Sequence, residues 1–199
     1  MSKKTMHYEL PVIITRNQVY FPFNQSDDLD AGRPQTVEAI RYANNEDDKL
    51  IIETIPALEF IERLIQHIPE KHFKIIRYYG LLTKVRERPH HITVQFEPLA
   101  RVFIETMDAS GSYTIAKSKI IPAAPLGEGV DVEALKNALY TFFSDRLELT
   151  RRLHIALDDI KAQNLNLEEL IYFLANKTLN STEQRMTILE EPSLEKQID

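Results

Sequence analysis

The chain contains no cysteine. Disulfides, thiolate metal sites and thiol catalysis are thereby excluded, and the composition fits a reducing compartment. Only 5 glycines occur in 199 residues, which argues against Gly-rich phosphate loops. There is no G-x-x-x-x-G-K-S/T pattern, so a P-loop ATPase site is absent. Neither H-E-x-x-H nor G-x-S-x-G occurs. No apolar run approaches the roughly 20 residues of a membrane helix. The stretch from Met1 to Tyr8 is too polar for a signal-peptide core. Together these absences predict a soluble cytoplasmic protein with no membrane partner. A formal charge of -6 weighs against a broad nucleic-acid footprint, which is usually basic. Internal repeats and low-complexity segments are also lacking.

What is present can build a core. The chain is 43% hydrophobic, enough for one large domain or two small ones. Its first part reads as mostly strand. Val12, Ile13, Ile14 and Val19, Tyr20, Phe21 are β-branched or aromatic, bounded by Pro11 and Pro22. An extended segment runs into Gly32 and Arg33, and a helix is predicted from Pro34, with Val37, Ile40 and Ala43 at helical spacing. Residues 44–48 form a polar turn, and Leu50 to Ile55 the next strand. Gly80, between Ile75-Ile76 and Leu81-Leu82, marks a bent strand or a turn. His91 to Phe96 alternates as a half-buried strand. A separate strand from Arg101 to Thr106 follows Pro98. A turn at Asp108 to Gly111 lets Ser112 to Ala116 pair back. Short strands at close spacing suggest a small barrel or sandwich.

The character changes at residues 122–129, a Pro/Gly stretch read as a linker. Beyond it the pattern is helical. Asp131 can cap a helix whose Leu135, Ala138, Leu139, Phe142, Phe143, Leu147 and Leu149 form a wide apolar face. Leu153, Leu157 and Ile160 mark a further turn of helix. Asn166 with Glu169, and Ser181 with Gln184, have capping-box spacing. The second pair opens what reads as the last helix, ending before Pro192.

Candidate chemistry is sparse. His90-His91 is the one adjacent histidine pair, and neighbours in a strand point to opposite faces. Asp158-Asp159 and Glu190-Glu191 are paired in sequence and read as solvated helix faces. Arg33 and Arg101 follow short apolar or turn segments. Each is either a contact to substrate or a neighbouring subunit, or an ordinary surface or ion-pairing arginine. Two aromatic pairs, Tyr20-Phe21 and Phe142-Phe143, can offer adhesive surface to unfolded chains, although such a pair usually sends one ring into a core. The sequence itself assigns no catalytic, metal or cofactor-binding residue.

Several segments together resemble the N-terminal domain of the Lon family of ATP-dependent proteases. Leu10-Pro11-Val12 with Arg16, then Phe21-Pro22, resemble the family's opening strand. Gly32-Arg33-Pro34 followed by Ala39-Ile40 resembles its second strand and first helix. Tyr78-Tyr79-Gly80 through Val85 resembles the strand after a Tyr-x-x-Gly step. Phe96 to Val102 resembles a Glu-Gly-Leu-x-Arg-Val segment, with Pro98 where glycine is usual, so a different local turn is expected there. Leu170 to Ala175 and Ser181 to Glu191 resemble the helical part that ends such domains. Residues 58–80 depart from the pattern. They are similar to a piece of rolling-circle insertion-sequence transposases, but no His-x-His motif accompanies Tyr78-Tyr79. Their basic run, residues 63–77, is the place for any nucleic-acid contact.

The resemblance implies an α+β chain, with a PUA-like small β-barrel over residues 8–121, a linker at 122–129 and a helical bundle over 130–199. It implies a non-catalytic substrate-recognition and assembly domain. The partners would be unfolded proteins, further copies of itself, and the rest of a hexameric protease. ATP and Mg would belong to the ATPase part of such an enzyme and a Ser-Lys dyad to its protease part. The alternative is a stand-alone adaptor or RNA-binding module of similar fold.

Overall fold

The computed structural model describes residues 7–16, 18–55, 77–89, 91–145 and 157–198. Two compact units divide the chain, Met1–Pro122 and Ala123–Asp199. The first holds β1 (His7–Arg16), β2 (Leu29–Ala31), α1 (Pro34–Asn45), β3 (Lys49–Ile55), β4 (Arg77–Arg88), β5 (His91–Asp108) and β6 (Ile115–Ile120). Its sheet order is β2-β5-β4-β3-β1-β6, and β6 also pairs with β5. The pairings therefore close into a ring of five strands, with β2 attached outside it.

Two long strands make that closure possible because each serves two partners. The first half of β1 runs antiparallel to β6, from His7 opposite Lys119 to Pro11 opposite Ile115. Its second half runs parallel to β3, from Val12 opposite Ile51 to Arg16 opposite Ile55. Pro11 sits at the changeover, so β1 passes through it instead of starting after it. The 18-residue β5 pairs with β4 up to Val102 and with β6 from Val102 onward. Three one-residue bulges bend these ladders. Leu99 is extra between the pairs Tyr79–Ala100 and Gly80–Pro98. Thr83 is extra in β4, and Glu105 is extra in β5 against β6. A bulge kinks a strand and increases its twist.

The expected break at Pro98 is thus corrected. The two predicted strands, His91 to Phe96 and Arg101 to Thr106, are one strand running through the proline. Pro98 is tolerated because it lies at the bulge opposite Gly80, where the ladder is already irregular. The resemblance's expectation of a local departure at Pro98 falls at this bulge. The predicted strand at Val19 to Phe21 is also corrected. These residues are irregular, yet Val19 and Phe21 are buried. Their apolar character serves the core without a ladder.

The interior of this unit includes Leu10, Val12, Ile51, Tyr79, Val102 and Ala116 as one packed cluster. Helix α1 packs on β1 and β3 and buries Ala39, Ile40 and Ala43. Val37, expected on the same face, is half-buried. With both faces covered, Leu50, Ile51 and Ile52 are all buried, which explains their unbroken apolar run.

The second unit holds α2 (Val132–Ser144), α3 (Leu157–Ala162), α4 (Leu167–Thr178), α5 (Thr182–Glu190) and α6 (Leu194–Ile198). Asp131 Oδ1 accepts the Ala134 N–H at 3.1 Å and caps α2. Asn166 and Glu169 make the complete capping box of α4, at 2.9 and 2.8 Å. Ser181 stands at the N-cap of α5 but makes no side-chain cap bond. Helix α6 follows Pro192, so α5 is not the last helix. Tyr140, Phe143, Ile160, Leu170 and Leu174 pack as one cluster in the unit's interior. The predicted wide face of α2 is only partly used: Ala138 and Phe142 are exposed, while Lys136, Tyr140 and Phe143 are buried. Leu147, Leu149 and Leu153 lie outside the described residues.

Candidate functional site

Helices α2, α4, α5 and α6 surround an apolar cavity of about 310 Å³ within the second unit. Helix α2 contributes Ala138, Leu139, Phe142 and Phe143. From α4 and its end come Ile171, Leu174, Ala175, Thr178 and Leu179. Ile188 of α5 and Gln197 and Ile198 of α6 complete the lining. The volume lies at the small end of ligand-pocket sizes, enough for one or two side chains.

Local chemistry keeps these helices together. Gln197, itself buried, donates its Nε2 protons to the carbonyls of Ile188 (2.8 Å) and Glu191 (2.6 Å) and so ties α6 to α5. Arg185 of α5 donates to the carbonyls of Leu179 (2.8 Å) and Asn176 (2.9 Å) at the end of α4. A guanidinium there satisfies orphan carbonyls and meets the negative end of the helix dipole. Gly127 N–H donates to Glu195, and Ala124 N–H to the Pro192 carbonyl, fastening the start of the unit to its last turn.

The two aromatic pairs split. Phe143 is 6% exposed and belongs to the core. Phe142, about 100° further round the helix, is 46% exposed and lines the cavity, with its ring edge-on to Phe143 at 5.4 Å. In the first unit Phe21 is buried at 1%. Tyr20 is half-buried, edge-on to Phe96 at 4.7 Å, with its hydroxyl donating to Gln18 Oε1 at 2.7 Å. Burial, then the charge of Asp27, push its phenol up to about 12.

Among the sequence candidates, Arg33 is exposed at the N-cap of α1. Arg101 is 2% exposed, an interior residue of β5, and its carbonyl accepts the Ile121 N–H. Arg101 and Phe21 are interior groups of the first unit, whereas the buried ring of Phe143 forms part of the cavity wall. Tyr79 is a core residue stacked on Tyr8 at 5.1 Å, so its environment is that of packing. Glu191 accepts the Ser193 N–H at 2.9 Å, while Glu190 is exposed, its carboxyl raised by partial burial. His90, the side chains of Asp158 and Asp159, and residues 58–76, with most of the basic run, lie outside the described residues. Among the described residues, no cluster of His, Asp or Glu is built to hold a metal. No described helix is long and apolar enough to cross a membrane. Sequence reading missed Gln197 as an organiser of the cavity, because the partners of its amide lie on other elements.

Three comparisons bear on these features. The chain is similar over most of its length to the N terminal domain of Mycobacterium avium complex Lon protease. The TM-score is 0.70 at 14% identity, covering 96% of this chain and 94% of that one. It is similar also to the Lon N-terminal domain protein from Xanthomonas campestris, with a TM-score of 0.61 at 12% identity, covering 96% and 95%. At such identities the likeness is one of fold. A transposase for insertion sequence element IS801 of Pseudomonas savastanoi pv. phaseolicola is 53% identical over 30 residues. That match spans 15% of this chain and only 7% of the transposase, far too little to carry the whole protein's activity. The ATP-dependent protease La (LON) substrate-binding domain matches residues 9–199. The chain therefore belongs to the LON substrate-binding domain family.

Proposed function

We propose that this chain recognises unfolded or damaged proteins for a Lon-type ATP-dependent protease in the cytoplasm and supports assembly of the oligomer. It does no chemistry itself. In this reading the ring of five strands is a small PUA-like β-barrel, the helices of the second unit are a bundle, and residues 122–129 are the linker. ATP and Mg serve the ATPase part of the full enzyme, and proteolysis uses a Ser-Lys dyad outside this chain.

The observation that carries the reading is the apolar cavity of about 310 Å³ with Phe142 exposed on it. A folded protein keeps most of its large apolar side chains inside and rarely exposes them in contiguous patches, so an open apolar site favours chains that have lost their fold. Filling it with one Leu or Phe side chain contributes roughly 1.5–3 kcal/mol. Association costs about 4 kcal/mol or more in lost freedom. One cavity alone therefore binds weakly, and several copies on one oligomer supply the affinity through effective concentration.

Immobilised chain should retain a denatured test protein and let the same protein pass when native. Equal indifference to both forms would sink the reading.

A further inference from the structure

Among the described residues, three other than glycine have positive φ: Asp48 at 60°, Asn164 at 49° and Phe23 at 64°. The first two need no special account. Asp and Asn tolerate the left-handed region, and each follows the end of a helix. Phe23 is different, since a bulky side chain there is an outlier.

The turn that holds it is pinned on both sides. Phe23 N–H donates to the Pro98 carbonyl at 2.8 Å, across to the bulge of β5. Asn24 Nδ2 donates to the Pro22 carbonyl at 2.9 Å, and Asn24 N–H to the Phe21 carbonyl at 3.3 Å. Phe21 and Pro22 are buried beneath. This backbone would suit Asn or Gly better than Phe. Core packing does not account for the ring either, because Phe23 is 44% exposed. A strained backbone presenting an apolar ring to solvent is the pattern of a binding position.

We infer that Phe23 is a second contact for unfolded polypeptide, in the first unit, taking an apolar side chain with basic residues beside it. This rests on the substrate-recognition reading above. The charge preference comes from Asp27 and Asp28, both exposed in the same loop. The same acidity, in a chain of net charge -6, disfavours a second copy as the occupant.

The test uses the whole chain and short unstructured fluorescent peptides with a central Leu-Phe pair, flanked by lysines or by glutamates. Wild type should bind the lysine-flanked peptide more tightly. Phe23→Asn should weaken that binding about tenfold, the loss of one good apolar anchor. Its Tm should stay within roughly 2 °C of wild type or rise, as the backbone strain is relieved. Phe23→Leu, which keeps an apolar side chain, should retain most of the binding. Unchanged affinity in Phe23→Asn would overturn the inference, as would a Tm lowered by many degrees, which would make the ring a structural element. A concentration-dependent dimer abolished by Phe23→Asn would assign the ring to self-association and overturn it too. If wild type retains denatured protein but Phe23→Asn does so equally, only this inference falls. If wild type retains neither peptide nor denatured protein, the substrate-recognition reading falls with it.

Discussion

Gly80 of β4 lies beside the bulge at Leu99 of β5, and adding one methyl group there tests the bulge that shapes the first unit. A Cβ at this position would lie 3.1 Å from the Glu97 carbonyl oxygen and 3.2 Å from Ile52 Cδ1. Ordinary contacts between carbons are about 3.5–4.0 Å. Neither neighbour yields easily: the oxygen is backbone of β5, and Ile52 is fully buried. The Gly80→Ala chain must therefore push β4 from β5 by a few tenths of an ångström. Overpacking of this kind costs roughly 1–3 kcal/mol. Against it stands a gain of about 0.4–1 kcal/mol from the stiffer unfolded chain. The net expectation is a loss of roughly 1–2 kcal/mol. In urea, with a slope of about 2 kcal/mol per molar, that lowers the midpoint by roughly 0.5–1 M. Gly111→Ala is the matched control, because its nearest atom, the Tyr113 carbonyl oxygen, is 3.6 Å away. Only the unfolded-state gain remains there, so its midpoint should rise slightly. A Gly80→Ala midpoint equal to or above wild type would refute the reasoning.

Other expectations can be checked alongside. Asn166→Ala removes the acceptor for Glu169 N–H and should cost about 0.5–2 kcal/mol in chemical unfolding. Phe142→Ser should reduce retention of denatured protein with little change in Tm, whereas Phe143→Ala, in the core, should cost roughly 3–5 kcal/mol. Gln197→Ala leaves the Ile188 and Glu191 carbonyls without the amide donor and should lower stability by about 1–3 kcal/mol. Tyr20 is raised from 10.0 to about 12 on folding. The folded state holds this proton more tightly, so its contribution is complete below pH 10 and is lost as pH rises toward 12. With partial solvent screening the loss is roughly 1–2 kcal/mol. Melting at pH 9 and at pH 11.5 should show a larger drop for wild type than for Tyr20→Phe; equal drops would refute this.

Local signals were legible where their cause is local. Pro34 starts α1, Asp131 caps α2, and Asn166 with Glu169 boxes α4, because each needs only atoms within one turn. The same logic failed at Ser181, which has the spacing but makes no side-chain cap bond. Pro98 reads as a break, and only the bulge opposite Gly80 makes it compatible with a strand. Val19 to Phe21 has strand composition but no ladder partner, since burial asks for the same residues as pairing does. The candidate cavity was half legible: the adjacent rings of Phe142 and Phe143 mark α2, while which ring faces inward depends on α4. Nothing in the sequence distinguishes Phe23, whose signature is a backbone angle.

The sequence by itself determined the family, through the order and spacing of its short motifs, and the absence of thiol and P-loop chemistry. It also determined the switch from strand to helical patterning, because periodicity and caps are properties of neighbouring residues. The tertiary structure alone decided the rest. It closed five strands into a ring, buried Arg101 and Phe21, passed β5 through a proline and left Phe142 and Phe23 in solvent. Each of these outcomes depends on which distant atoms meet, and a residue's type limits those meetings without choosing among them.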